Sequence, residues 1–215
     1  FCLIGKFVIA DGLDIFQDVL AYVVLLIALL LFHAAFTYSV FLKFVGGLNP
    51  LTFFRKMKDV ALFAFSTSSS AATIPVTLRT VNQDLGVNQN VASFVVPVGA
   101  TINMDGTAIM QGLATVFIAQ MSGIDLTLFQ YIQVVLLAVA TSIGTAAVPS
   151  AGTITLIIIL QQFNLPLEAI GIILAVDRVL DMIRTSVNVT GDAAIACIVA
   201  KTENQLDENI FNSKA

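Results

Sequence analysis

The chain has 215 residues, 58% of them hydrophobic and only 11% charged, with a formal net charge of −4. Soluble domains carry about 25% charged residues, so this composition excludes an ordinary soluble domain and predicts an integral membrane protein. No basic run is present to meet nucleic acid, and two cysteines, Cys2 and Cys197, are too few and too far apart for a disulfide framework or a metal cluster.

Residues 1–10 read as the end of one membrane helix, closed by Ala10-Asp11-Gly12. The chain opens inside an apolar run, without an initiator Met or a signal peptide, and is expected to be a fragment. Val19 to Leu42 is apolar over about 36 Å as a helix, enough to cross a bilayer. His33 is its one exception, expected to hydrogen-bond a neighbouring helix rather than bind a ligand. Asp11, Asp14 and Asp18 precede this span and Lys43, Arg55, Lys56 and Lys58 follow it, which places residues 43–58 in the cytoplasm.

Leu51 to Phe65 is an apolar-rich arm, followed by the Ser-rich stretch 66–75 and a second arm reaching Arg79 and Asp84. The segment is too short to cross twice and too apolar for a loop. Basic groups at both ends predict a re-entrant hairpin whose tip lies at membrane depth, where irregular backbone must be buried in protein or line a cavity. Val91 to Met121 is a further span, broken by the stretch Gly99 to Thr107. Leu126 to Phe163 repeats the hairpin from the opposite side, with its tip at Ser142 to Gly152. Pro166 and Glu168 suit the first turn of a last helix ending near Lys201. Residues 202–215 are polar and predicted to be a disordered tail.

A repeat runs through this order. Thr67-Ser68-Ser69-Ser70-Ala71-Ala72-Thr73-Ile74-Pro75 aligns with Thr141-Ser142-Ile143-Gly144-Thr145-Ala146-Ala147-Val148-Pro149. Each hairpin is followed by a helix carrying an Asn–Gly–Asp cluster, N-M-D-G-T at 103–107 and N-V-T-G-D at 188–192, and both helices are expected to break at the Gly. Two such units entering from opposite sides form an inverted repeat, the architecture of secondary transporters that bind at the midplane.

The last helix holds the densest polar cluster. At about 100° per residue, Asp177, Asp181, Arg184, Thr185, Asn188 and Asp192 fall within an arc of about 100°, with Arg178 at its edge. Ionisable groups at membrane depth are costly and mark substrate or ion sites. Asp105 and Asp192, beside carbonyls freed at the Gly, would make hard-oxygen sites for a small cation. Arg184 offers a planar fork for a carboxylate and Asp181 an acceptor for an ammonium. Helix ends at the hairpin tips favour a further carboxylate. Together these features fit an acidic amino acid. Enzymatic readings fail, because the sole His lies in no nucleophile pattern and an aspartyl pair would leave the Ser-rich tip, both arginines and the second hairpin unexplained. No phosphate-binding G-x-x-x-x-G-K-[ST] occurs for ATP.

S-S-S-A-A-T-I-P, N-M-D-G-T, S-I-G-T-A-A-V-P-S-A-G and D-M-I-R-T-S-V-N-V-T-G-D resemble the dicarboxylate/amino acid:cation symporter family, the glutamate and aspartate transporter homologues. The resemblance runs from the end of that family's fifth membrane helix through its eighth. It implies an all-α, multi-pass cell-membrane protein with two opposed re-entrant hairpins and an elevator-type transport domain. In that scheme residues 1–50 hold the fifth and sixth helices, 51–201 the transport core, and 202–215 a cytoplasmic tail. The implied function is sodium-coupled uptake of aspartate or glutamate, by a homotrimer when the protein is full length.

By motif, Arg184 would hold the substrate side-chain carboxylate and Asp181 its amino group, with Ser70, Thr107, Val148, Gly152, Thr185 and Asn188 completing the pocket. One sodium would use Asp192 with backbone oxygens of Gly99, Asn103 and Asn188. A second would use backbone oxygens of Thr101, Ser142, Ile143 and Thr145, and a third Asp105 with Asn103. The chain departs from the family at Ala71, where a third Ser is common, and at Ser68, where some prokaryotic members place an Arg. Arg178 instead lies in the last helix, as in some proton-coupled members. Because Asp181 and Asp192 are both retained, sodium is favoured. Other readings are a proton- or sodium-coupled C4-dicarboxylate symporter, which would not need Asp181, and an anion channel or structural membrane module. Gly144 and Gly152 predict that the 142–152 hairpin opens as the gate while the 66–75 hairpin stays closer to fixed.

Overall fold

The computed structural model describes residues 15–213, and among them all extended secondary structure is helical. The expected helix end at residues 1–10 lies outside the described residues. Helix α1 (Ile15–Phe32) continues through Val45, because the chain stays helical across two wider turns, His33–Thr37 and Phe41–Val45. The stretch Phe16–Val45, 30 residues, is long and apolar enough to cross a membrane. Tyr22, Leu26 and Leu30 bury one stripe of it, at the four-residue spacing of a helix face. A turn with five-residue hydrogen bonding shifts the facing stripe, and its local irregularity is a frequent mark of functional sites.

Asn49 starts α2 (Pro50–Thr67), its side chain accepting from Leu51 N and Thr52 N, with Pro50 at the first helical position, where a missing N–H does no harm. The first hairpin then turns in two residues. Ser68 takes a left-handed conformation at φ 52°, and Ser69 caps α3 (Ser70–Gln83) by accepting from Ala72 N at 3.2 Å. Helix α4 (Gln89–Ile102) stops at Asn103 and Met104, and α5 (Asp105–Met121) starts directly beyond, so this span is broken within the predicted stretch Gly99 to Thr107, although Gly106 itself is helical. The second hairpin pairs α6 (Leu128–Ile143), opened by a Thr127–Gln130 capping box, with α7 (Ala151–Gln162).

The two tips share sequence but not backbone. Ala71 to Pro75 is helical, whereas the aligned Thr145 to Pro149 is not. The difference shows at the capping position. Ser69 caps the second arm of the first hairpin, whereas its counterpart Ile143 is still the last residue of α6, and α7 begins after Ser150 without a side-chain cap.

Helix α8 (Ile170–Thr202) is the hub, packed against α1, α2, α3, α4, α5 and α7. It runs 33 residues without interruption, which corrects the expectation that it breaks at Gly191. Gly191 serves close packing instead: a Cβ there would lie 2.6 Å from Tyr38 Oη and 2.8 Å from Asn103 Nδ2. The carbonyl of Asn188 therefore sits within the helical ladder rather than being freed.

The predicted disordered tail is also corrected. Residues 203–213 fold back, with α9 (Glu208–Asn212) capped by Asp207 and the side chain of Phe211 fully buried. Lys56 Nζ donates to Asp84 O at 2.9 Å, Ile210 O at 2.7 Å and Ser213 Oγ at 3.1 Å, knotting the base of the first hairpin to the tail. Val87 and Leu206 form a bridge beside it, and Lys201 pairs with Glu208. Polar composition misled here because one aromatic and one lysine supply the anchoring. Phe211→Ala should remove about 3–5 kcal/mol of docking. Amide exchange across 203–213 should accelerate on the order of a hundredfold or more, and unchanged protection would contradict this docking.

Candidate substrate and cation site

The polar arc of α8 is buried as its spacing predicts: Asp177, Asp181, Arg184, Thr185, Asn188 and Asp192 are all within the protein. The side chain of Arg184 is only 2% exposed and pairs twice, Nη2 with Asp181 Oδ1 at 2.5 Å and Nη1 with Asp177 Oδ1 at 3.4 Å. A buried guanidinium demands such partners, because an unpaired ion in a dry core costs several kcal/mol.

A small cavity of ≈ 20 Å³ lies against this pair. All eight predicted substrate residues line it: Ser70 from the first hairpin, Thr107 from α5, Val148 and Gly152 from the second hairpin, and Asp181, Arg184, Thr185 and Asn188 from α8. Ser70, Thr107 and Gly152 each belong to the first turn of their helix, so three helix N-termini line the space. The positive ends of their dipoles favour negative charge. Arg184 adds a full positive charge, and Asp181 supplies the one place suited to an ammonium.

The packing is close. A Cβ on Gly152 would lie 2.7 Å from Thr107 Cγ2, and one on Gly106 would lie 2.8 Å from Asn188 Oδ1. Asn188 spans the site, accepting from Gly106 N at 2.8 Å and donating to Thr107 Oγ1 at 3.3 Å. A cavity this size holds about one water, so anything larger gains access only if the tips separate. They meet where Ala147 O accepts from Ser69 Oγ at 2.8 Å and Ala71 N at 3.3 Å, while Ser150 N donates to Asp181 Oδ2 at 2.9 Å. The first tip is tied further by Arg178 Nη1, which donates to Ser68 Oγ at 2.8 Å.

In this closed arrangement neither glycine of the second tip takes a left-handed conformation. Gly144 has φ −87°, and Gly152 lies inside α7, where it permits close approach to Thr107. The left-handed residues are Ser68 and Ser150. What distinguishes the second tip is its non-helical stretch from Gly144 to Ser150, against two residues in the first.

The predicted cation ligands are brought together unevenly. Asn103 Nδ2 donates to Asp192 Oδ1 at 2.9 Å, and Gly99 abuts the same carboxylate, with Asn188 one turn earlier on α8. Thr101, Ser142, Ile143 and Thr145 sit at the C-terminal ends of α4 and α6, two helices in contact, where carbonyls point outward and a cation is favoured. Thr145 N already donates to Ser142 O at 3.1 Å, and Thr101 and Ile143 are exposed. The third pair is split: Asn103 turns to Asp192, while Asp105 Oδ2 lies 2.6 Å from His33 Nε2 and accepts from Tyr38 Oη at 2.7 Å.

That contact bears out the neighbouring-helix role expected for His33 and identifies its partner as the N-M-D-G-T aspartate. Sequence reasoning missed Tyr38 and Gln111. Gln111 is fully buried and holds both arms of the second hairpin, donating to Gly152 O and Thr155 Oγ1 and accepting from Thr141 Oγ1. Its position one turn beyond Thr107 on the same helix was the available signal.

The chain matches the sodium:dicarboxylate symporter family over residues 1–202. It belongs to that family. Among curated relatives, it is 42% identical over 201 residues to an excitatory amino acid transporter of Caenorhabditis elegans, covering 93% of this chain and 40% of the relative. It is 41% identical over 215 residues to excitatory amino acid transporter 3 of Mus musculus, covering 100% of this chain and 41% of the relative. Excitatory amino acid transporter 2 of Homo sapiens is 43% identical over 200 residues, covering 92% and 35% respectively. The chain thus spans well under half the length of these relatives. The symporter family is one of transporters rather than enzymes.

Ser69 tests the closure, because it both caps α3 and binds the opposite tip. Ser69→Ala should weaken this junction by about 0.5–2 kcal/mol. The rate at which a thiol reagent modifies a cysteine placed at Ala146 should therefore rise. An unchanged rate would show that the tip contact does not hold the site shut.

Proposed function

We propose that this chain forms the substrate-carrying part of a sodium-coupled symporter for an acidic amino acid, aspartate or glutamate. The observation that carries the reading is Arg184 paired with Asp181 beneath three helix N-termini. That arrangement suits two carboxylates and one ammonium on the same small molecule. The names of the relatives, all excitatory amino acid transporters, favour the same substrate class. A C4-dicarboxylate would use Arg184 but bring no ammonium to Asp181.

Sodium is the coupling ion on this reading, and it travels as co-substrate. Asp177 and Asp181 face the one buried guanidinium while buried Asp192 and half-buried Asp105 lie on other partners, so bringing in a further anion requires cations to accompany it. Asp192 with Asn103 and the close approach of Gly99 is the best formed of the candidate cation sites. The hairpins enter the bilayer from opposite sides without crossing it, and the second is the gate. Its tip has no helical hydrogen bonds across its non-helical stretch, whereas the first is capped by Ser69 and tied by Arg178. Transport proceeds by an elevator movement of residues 51–201, in a multi-pass protein of the cell membrane that is a homotrimer at full length.

Arg184→Ala tests the substrate assignment in the full-length protein. Breaking the buried pair costs about 3–5 kcal/mol, so aspartate affinity measured by titration calorimetry should fall about a hundredfold to several thousandfold. Aspartate affinity equal to that of the parent protein would remove Arg184 from the site and sink the assignment.

A further inference from the structure

Asp177 Oδ2 is buried and has no hydrogen-bond partner among the described residues. Asp177 is 2% exposed, so that unused oxygen has lost its hydration without compensation and calls for a reason. The other oxygen is shared. Oδ1 accepts from Thr153 Oγ1 of α7 at 2.7 Å and from Arg184 Nη1 at 3.4 Å.

Arg184 has its nearer partner in Asp181, whose second oxygen accepts from Ser150 N. Each carboxylate therefore joins one end of the guanidinium to the second hairpin. The two differ in one respect: Asp181 lines the cavity and Asp177 does not. On the functional reading above, on which this inference rests, Asp181 must offer an oxygen to the substrate ammonium. Arg184 then loses its nearer partner inside a dry site.

We propose that Asp177 is the reserve counter-ion of Arg184, a positioning residue that takes up the guanidinium through its unused Oδ2 when substrate occupies Asp181. Nη1 already lies beside Asp177, so a modest side-chain rotation converts one long contact into a two-oxygen fork. The handover keeps the guanidinium in place to present its remaining N–H groups to the substrate carboxylate. Because Thr153 holds the same carboxylate, the arm of the gate is drawn into the linkage.

Asp177→Asn keeps the size of the side chain and an acceptor for Thr153 but removes the charge. In full-length protein at saturating sodium, aspartate affinity should fall about tenfold to a hundredfold, the loss of one charge-assisted hydrogen bond. The unfolding temperature without aspartate should stay within about 3 °C of the parent value, because Asp181 still pairs with Arg184 there. A merely structural Asp177 gives the reverse, a lowered unfolding temperature with unchanged affinity, and that result overturns the proposal. If both fall, Asp177→Glu decides: recovered affinity supports the reserve role and unrecovered affinity overturns it. A parent protein that does not bind aspartate overturns the functional reading and this inference with it. Aspartate binding that Asp177→Asn leaves unchanged overturns the inference alone.

Discussion

Excess negative charge in a dry core is the constraint on which the rest of the structure depends. Three buried aspartates, Asp177, Asp181 and Asp192, with half-buried Asp105 beside them, share a region whose only buried guanidinium among the described residues is Arg184. Asp177 has Thr153 and Arg184 at one oxygen only, and the other three are answered locally. Asp105 has His33 and Tyr38, Asp192 has Asn103, and Asp181 has Arg184 and a backbone N–H from the second hairpin. These partners stabilise carboxylates individually without neutralising the set. Ions at this depth are tolerated when cations or protons accompany them. On the proposed function, an acidic substrate would increase the imbalance, which would give its binding a physical reason to depend on co-transported ions.

The architecture around this core follows from where helices start and stop. The turns at Ser68–Ser69 and Gly144–Ser150, and the break at Asn103–Met104, bring helix termini to the site from several directions. N-termini of α3, α5 and α7 line the cavity, while the C-termini of α4 and α6 lie beside the candidate cation sites. Unbroken α8 supplies side chains instead of backbone groups. Division of labour between termini and side chains explains why the hairpins tolerate Gly, Ser and Pro at their tips. Their irregular backbone is satisfied by the opposite tip or by α8, as at Ala147 O and Ser150 N.

Much of this was legible in sequence because it is periodic or local. The arc from Asp177 to Asp192 follows from helix geometry alone, and the broken span at 103–104 from its Asn-Met-Asp-Gly run. Long-range contacts were not legible. His33 and Tyr38 reach Asp105 across about seventy residues of sequence, aided by a wide turn that no composition announces. Gly191 and Gly152 look like points of flexibility in a sequence, yet each is required by a neighbouring atom within 3 Å of where a Cβ would lie. The folded tail was hidden for the same reason, since Phe211 and Lys56 find each other's surroundings only in three dimensions. The aligned tips show the converse, as Ser69 against Ile143 changes where a helix begins within otherwise similar sequence.

The central claim is that cations must enter this acidic core before an acidic substrate is held there. Titrating aspartate into the full-length protein at fixed pH over a series of sodium concentrations tests it directly. The account predicts that aspartate affinity rises steeply with sodium, and by linkage that aspartate raises sodium affinity by the same factor. Aspartate binding that is indifferent to sodium at every pH, or that follows pH alone, would contradict it.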